Sequence, residues 1–396
     1  MMLQKRIHGI VMLMVGLHFG VHTADAQTTT HELLVSSRNT SSVKRFNGQT
    51  GAYLGDVVQS GSGGLSLTQE VVIGPDGNLL VSGRGNTHVL KFDGVTGAYI
   101  DTFSTGYLLD NPTKMTIGPD GNLYISQWGT ARNKVARFNA ATGAFIDEFT
   151  SVGLTAGGGH AWDLHGNLYV ANFGNGANGN VQKFDSTGQF AGVFTATGHL
   201  SGPINVWFGD DNDLFVVDWT RGAVVRFDGT NGTFKSDFIT GLQNAEGFTV
   251  GPDSLFYICD WTANVVRKYA RSGAPLGVFA SDGNMQSPNS LLFRPSPAAS
   301  VGTGKTEPGT FLLHQNFPNP FNPSTSIHYH LTREGHVSLV VYDILGRVVA
   351  TLVHERQLPG SHEATFTPTV VTASGVFYYR MNQNGNTSTR AMIFMK

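Results

Sequence analysis

Cysteine is almost missing from this chain. Cys259 is the only one in 396 residues, which excludes an intrachain disulfide and any cysteine-rich metal site. It lies in the apolar run Phe256-Tyr257-Ile258, where a thiol reads as a small buried hydrophobe rather than a nucleophile. Charge is sparse as well. Only 14% of residues are charged and the formal net charge is −2, so there is no basic field to draw nucleic acid. Long apolar runs are absent too: a membrane anchor needs about 20 such residues, and the N-terminal run falls short. No transmembrane segment is expected in the mature chain. Helix-type patterns are few. What is abundant is glycine, fifty of them, which points to an all-β chain rich in tight turns.

The first 26 residues read as a signal peptide. Lys5 and Arg6 precede a short apolar run interrupted by His8 and His18, and Ala24-Asp25-Ala26 supplies the small-x-small cleavage pattern. Cleavage is expected after Ala26. No cysteine follows the apolar run, so a lipoprotein anchor is not expected there.

From residue 30 onward one pattern recurs every 42 to 46 residues. An apolar triplet (strand a) leads into a Gly-Pro-Asp-Gly-Asn turn, then a second apolar run (strand b). A strand c follows, ending in (Lys/Arg)-Phe-(Asp/Asn), and after a Thr-Gly turn comes strand d. The anchor aromatics are Phe46, Phe92, Phe138, Phe184, Phe227 and Tyr269. In the turn, Pro fixes φ at the second position and Asp-Gly supplies the chain reversal. A unit of four short strands at this period is a β-propeller blade, stable only beside its neighbours. The first copy begins at strand b, Leu33-Leu34-Val35, while Ser287–Phe293 is a spare strand a at the far end. A missing strand at one end and a surplus one at the other predict a ring of six blades closed on itself.

Residues 296–310 turn rich in Pro, Ala, Gly and Ser and read as a linker. Beyond it, 311–396 shows alternating strands at Ser326–Leu331, Val337–Tyr342, Val348–Val353 and Val376–Met381, the pattern of a small immunoglobulin-like β-sandwich.

Two resemblances follow from these residues. The repeats over 30–295 resemble those of NHL-repeat proteins, a likeness that speaks for architecture and not for activity. Residues 311–396 resemble the type A sorting domain of the Por, or type IX, secretion system. Asn316-Phe317-Pro318-Asn319-Pro320-Phe321-Asn322-Pro323-Ser324-Thr325, Val341-Tyr342-Asp343-Ile344-Leu345-Gly346-Arg347, Gly360-Ser361-His362, Ser374–Tyr379 and Met392–Lys396 carry it. Leu331-Thr332 stands where that family has Leu-Pro. The resemblance implies export across the outer membrane by the type IX machinery, removal of the sorting domain, and release or attachment at the cell surface.

In a propeller the loops before strand a and after strand b open on one face around the central channel. Counting along each copy gives Glu70, Lys114, His160, Asn205, Glu246 and Asn289 before strand a. Ser37, Gly83, Gln127, Asn172, Asp218 and Asp260 come just after strand b. Asn205, Asp218, Glu246 and Asp260 form an oxygen-rich quarter in which a divalent cation, calcium by ligand type, is one expectation. The other is that these Asp residues cap loop amides. Similarity to gluconolactonase-like propellers implies Glu246, Asn205 and Asp260 as metal ligands and Asp218 as a base, giving a metal-dependent lactonase or esterase. His160, after three glycines, is a further catalytic candidate; a streptogramin-lyase-like enzyme would need a second histidine at an equivalent ring position, and none is present. Trp128, Phe173, Trp219 and Trp261 follow strand b in four copies, suited either to stacking on a ligand or to packing between blades. The leading expectation is a secreted or surface binding module for a glycan, peptide or small molecule, with Trp219, Trp261, His160, Asn205, Asp218, Glu246 and Asp260 at its site. The metal-dependent hydrolase remains the alternative.

Overall fold

The computed structural model describes residues 31–281, 284–296, 311–313, 316, 319, 321–342, 347–368, 375–383 and 386–394. The expected signal peptide, and all of the expected linker but Ser296, lie outside these residues. Six four-stranded antiparallel sheets fill residues 31–295, and no α-helix occurs among the described residues. Each sheet is one blade, with strands a to d in order. The a strands are Pro288–Pro295, Thr68–Ile73, Pro112–Ile117, Gly157–Trp162, Pro203–Phe208 and Ala245–Val250 for blades one to six. Each contacts the a strand of the next blade, and blade six returns to blade one. The result is a β-propeller.

Closure occurs in blade one. His31–Ser37, strand b of the first copy, pairs antiparallel with Pro288–Pro295, matching Leu33 to Phe293, Leu34 to Leu292 and Val35 to Leu291. The seam is buried, and inside it Arg294 Nη2 lies 3.1 Å from Glu32 Oε2.

The repeat's residues have local causes. The turn aspartates accept the amide two residues on, as Asp76 does from Asn78 at 3.1 Å, and the cation of strand c reaches back to them, as Lys91 does to Asp76 at 2.5 Å. The anchor aromatics are buried between blades. The Thr-Gly turn between strands c and d requires glycine twice over. Gly97 has φ 70° and a Cβ there would stand 1.6 Å from the Val57 carbonyl oxygen of the preceding blade. Gly143 repeats the geometry against Phe103. Blades thus press together at their outer edges through backbone.

A second β unit follows. Phe311–Leu313, Thr325–Leu331 and Gly360–Phe366 form one sheet; Val348–Gln357, Gly335–Tyr342, Gly375–Gln383 and Asn386–Phe394 form the other. Alternate residues (Ile327, Tyr329 and Leu331; Val337, Leu339 and Val341) point into one shared core, as period-two patterning dictates. Three of these strands, Phe311–Leu313, Gly360–Phe366 and Asn386–Phe394, were not anticipated from the sequence.

Candidate ligand-binding site

Strand a starts earlier than the apolar triplets indicate, and it is bulged. In blade two Thr68 pairs with Gly83 but Val71 pairs with Val81, so one extra residue is inserted on the channel side. The same shift occurs in the other blades. Aligned on the first residue of each strand, the second positions are Asn289, Gln69, Thr113, Gly158, Ile204 and Glu246. The third are Ser290, Glu70, Lys114, Gly159, Asn205 and Gly247. The polar ring drawn from the sequence therefore mixes three positions: Asn289 and Glu246 are second, Glu70, Lys114 and Asn205 third, and His160 fourth. All six lie within strand a rather than in a preceding loop.

Five of the second positions, Asn289, Gln69, Thr113, Ile204 and Glu246, form the floor of a cavity of about 210 Å³ at the channel mouth. Its wall is the residue that follows strand b in every blade: Arg38, Arg84, Trp128, Phe173, Trp219 and Trp261. The four aromatics follow one another around the rim in tilted and T-shaped contacts. Trp128 and Phe173 have centroids 4.8 Å apart, Phe173 and Trp219 6.3 Å, Trp219 and Trp261 5.7 Å. Arg84 extends this arc with its guanidinium 5.0 Å from the Trp128 ring centroid. All six are half-buried. The aromatics thus meet one another across blades and also face the cavity. Arg38 and Arg84 were not singled out from the sequence, although they occupy the register position of the four aromatics and that register was the available signal.

Behind the floor sits a charged cluster. Lys114 Nζ lies 3.4 Å from Glu246 Oε1 and 3.8 Å from Glu70 Oε2, and donates to the Asn289 carbonyl at 2.5 Å across the channel. Burial pushes the Glu70 carboxyl up to about 7, against the opposing pull of Lys114. Burial raises Glu246 as well, with Lys114, Arg38 and Arg84 working against it.

The strand-b ends do not share this cavity. Asp218 is fully buried and accepts from the backbone amides of Ser201 (2.6 Å), Gly202 (3.1 Å) and Arg221 (2.9 Å). Asp260 accepts from the Gln243 amide at 2.7 Å and from Arg267 Nε at 2.6 Å. Asn172 takes the Thr155 amide at 2.6 Å and Gln127 the Asp110 amide at 2.9 Å. Each of these four ties down the loop entering strand a of its own blade. Blade two has Gly83 at this position, and Asn86 Oδ1 takes the corresponding Ser66 amide at 2.9 Å.

The quarter of Asn205, Asp218, Glu246 and Asp260 is therefore not brought together around a common point. Asn205 Oδ1 accepts the Val206 amide at 3.0 Å, the two aspartates are engaged in loops, and Glu246 already faces an ammonium. Among the described residues no three His, Cys, Asp or Glu side chains assemble into a metal-holding group. The donors do not fit a divalent cation. His160 is buried, with Nδ1 2.9 Å from Ser126 Oγ and Nε2 without a partner. Burial pulls it down to about 4, so it is a neutral imidazole at physiological pH.

Residues 315–395 match the family described as a secretion system C-terminal sorting domain. That tail indicates export by the type IX system to the cell surface or beyond. No helix among the described residues is long and apolar enough to cross a membrane. No curated protein matches the chain in sequence. Similar solved structures include a nidogen/laminin complex, with TM-score 0.56 and 14% identity over 67% of this chain and 99% of that one. A protein of unknown function from Bacteroides caccae has TM-score 0.53 and 16% identity, covering 67% and 98%. A gluconolactonase from Xanthomonas campestris has TM-score 0.47 and 14% identity, covering 58% and 78%. Likenesses at such identities establish the propeller fold alone.

Proposed function

We propose that this chain is an exported NHL-type propeller that binds a ligand at its channel mouth, and that the C-terminal sorting domain delivers it and is then removed. The observation that carries this reading is the wall of the cavity. Six consecutive blades place four aromatic rings and two arginines at one register position, half-buried, around a space large enough for a small ring. Aromatic faces beside polar floor groups are the usual make-up of a recognition site. Of the carboxylates suited to metal-assisted hydrolysis, Asp218 and Asp260 are held by loop amides and Glu246 faces Lys114, which favours binding over turnover. In this reading Trp219, Trp261 and Glu246 contact the ligand, Asp218 and Asp260 shape the loops around it, and Asn205 and His160 stabilise the strands behind.

The test is a glycan and small-molecule array probed with the full chain and with a Trp219→Ala/Trp261→Ala variant. Compounds that bind the chain are expected to be lost from the variant while its circular dichroism is unchanged. Binding that survives in the variant would place the site elsewhere and end this reading.

A further inference from the structure

Resting on the ligand-binding reading above, we propose that the cavity takes a single hydroxylated ring bearing one carboxylate, a sugar acid of hexuronate type. Its carboxylate would lie on Arg38 and Arg84 and its ring against the aromatic arc. The argument begins with unpaired charge. Arg137, Arg221, Arg226, Arg267, Arg271 and Arg294 each face an Asp or Glu. Arg38 and Arg84 have no such partner among the described residues, although both are half-buried and line one cavity. The nearby carboxylates, Glu246 and Glu70, both face Lys114. Three cations thus stand against two carboxylates whose burial works against their ionisation, and the excess of positive charge favours an anionic ligand. A guanidinium pair offers forked donors that match a carboxylate.

The rest of the lining selects the ring. Asn289 Nδ2 donates to Gln69 Oε1 at 2.7 Å, leaving Gln69 Nε2 and Asn289 Oδ1 without hydrogen-bond partners among the described residues. One spare donor and one spare acceptor beside an aromatic wall suit hydroxyls on a ring whose C–H face stacks on indole. The volume of about 210 Å³ lies below the range of drug-sized pockets and admits one ring rather than several.

The experiment is calorimetry and tryptophan fluorescence on the full chain with D-glucuronate, D-glucose, benzoate and glucose 6-phosphate. Glucuronate is expected to bind and change the fluorescence, with glucose weaker by about tenfold to a hundredfold, the worth of a charge-assisted contact. Benzoate, lacking hydroxyls, and the dianionic phosphate, which Glu246 opposes, are expected to be weaker than glucuronate. Arg84→Gln is expected to lower glucuronate affinity by the same factor, and Arg84→Lys, which keeps the charge without the fork, by less. No glucuronate binding, equal binding of glucose, tighter binding of benzoate or phosphate, or indifference to both Arg84 variants would each overturn the inference. A neutral array compound that is lost from the Trp219→Ala/Trp261→Ala variant would leave the ligand-binding reading standing while removing this one.

Discussion

Two residues near the channel, the half-buried Glu70 and the buried His160, set opposite pH dependences. Glu70 is raised from 4.5 to about 7 by burial, so between those values the folded chain holds a proton that the unfolded chain has released. Its contribution to stability is present below about pH 4.5 and is lost as the pH rises through 7. His160 is lowered from 6.5 to about 4, so in that window the unfolded chain takes up a proton that the folded one refuses. Its contribution is present above about pH 6.5 and is lost as the pH falls through 4. In Glu70→Gln the melting temperature is expected to stop declining between about pH 5 and 7.5. His160→Gln is expected to lose its decline on the acid side. At this size each kcal/mol corresponds to about 2–4 °C. A Glu70→Gln melting profile parallel to that of the parent over this range would mean that the carboxyl is not held protonated.

At the level of strands and turns, the contact between blades is a backbone contact that only glycine permits. Gly97→Ala is expected to destabilise by more than Gly198→Ala. Both have positive φ, but only at Gly97 does the new Cβ meet a carbonyl oxygen, whereas Gly198 has nothing within 4 Å. The left-handed backbone alone costs about 1–2 kcal/mol; the excess at Gly97, read from denaturant melts, measures the blade contact. Equal losses would show that the blades yield there. The same scale explains what the sequence could and could not tell. Turns were legible because Pro, Asp and Gly each have a local reason to stand where they do. The channel floor was not, because the bulge in strand a breaks the period of two. The residue directly before the apolar triplet is the third position in every blade, Asn205 in blade five but Gly247 in blade six, so the floor residue Glu246 lies one step further back than that count reaches. Asp218 and Asp260 were expected just after strand b but are its last residues, and their direction, toward the loop amides they accept from, depends on the backbone they cap.

For the molecule as a whole the seam in blade one holds the ring shut, and it was legible from a missing strand at the start and a surplus one at the end. Glu32→Gln leaves Arg294 buried without its charge partner. Removing one member of a buried pair typically costs about 3–5 kcal/mol, and replacing both with methionine is expected to return most of that. A neutral Glu32→Gln would mean that the seam is held by its apolar residues alone. The central claim, that the channel mouth is where this exported propeller meets its ligand, is tested most directly by hydrogen–deuterium exchange on the full chain, with and without its tightest array ligand. The account predicts slowed exchange in the segments just after strand b, around Arg38, Arg84, Trp128, Phe173, Trp219 and Trp261. Slowed exchange confined to the outer d strands or to residues 311–396 would contradict it.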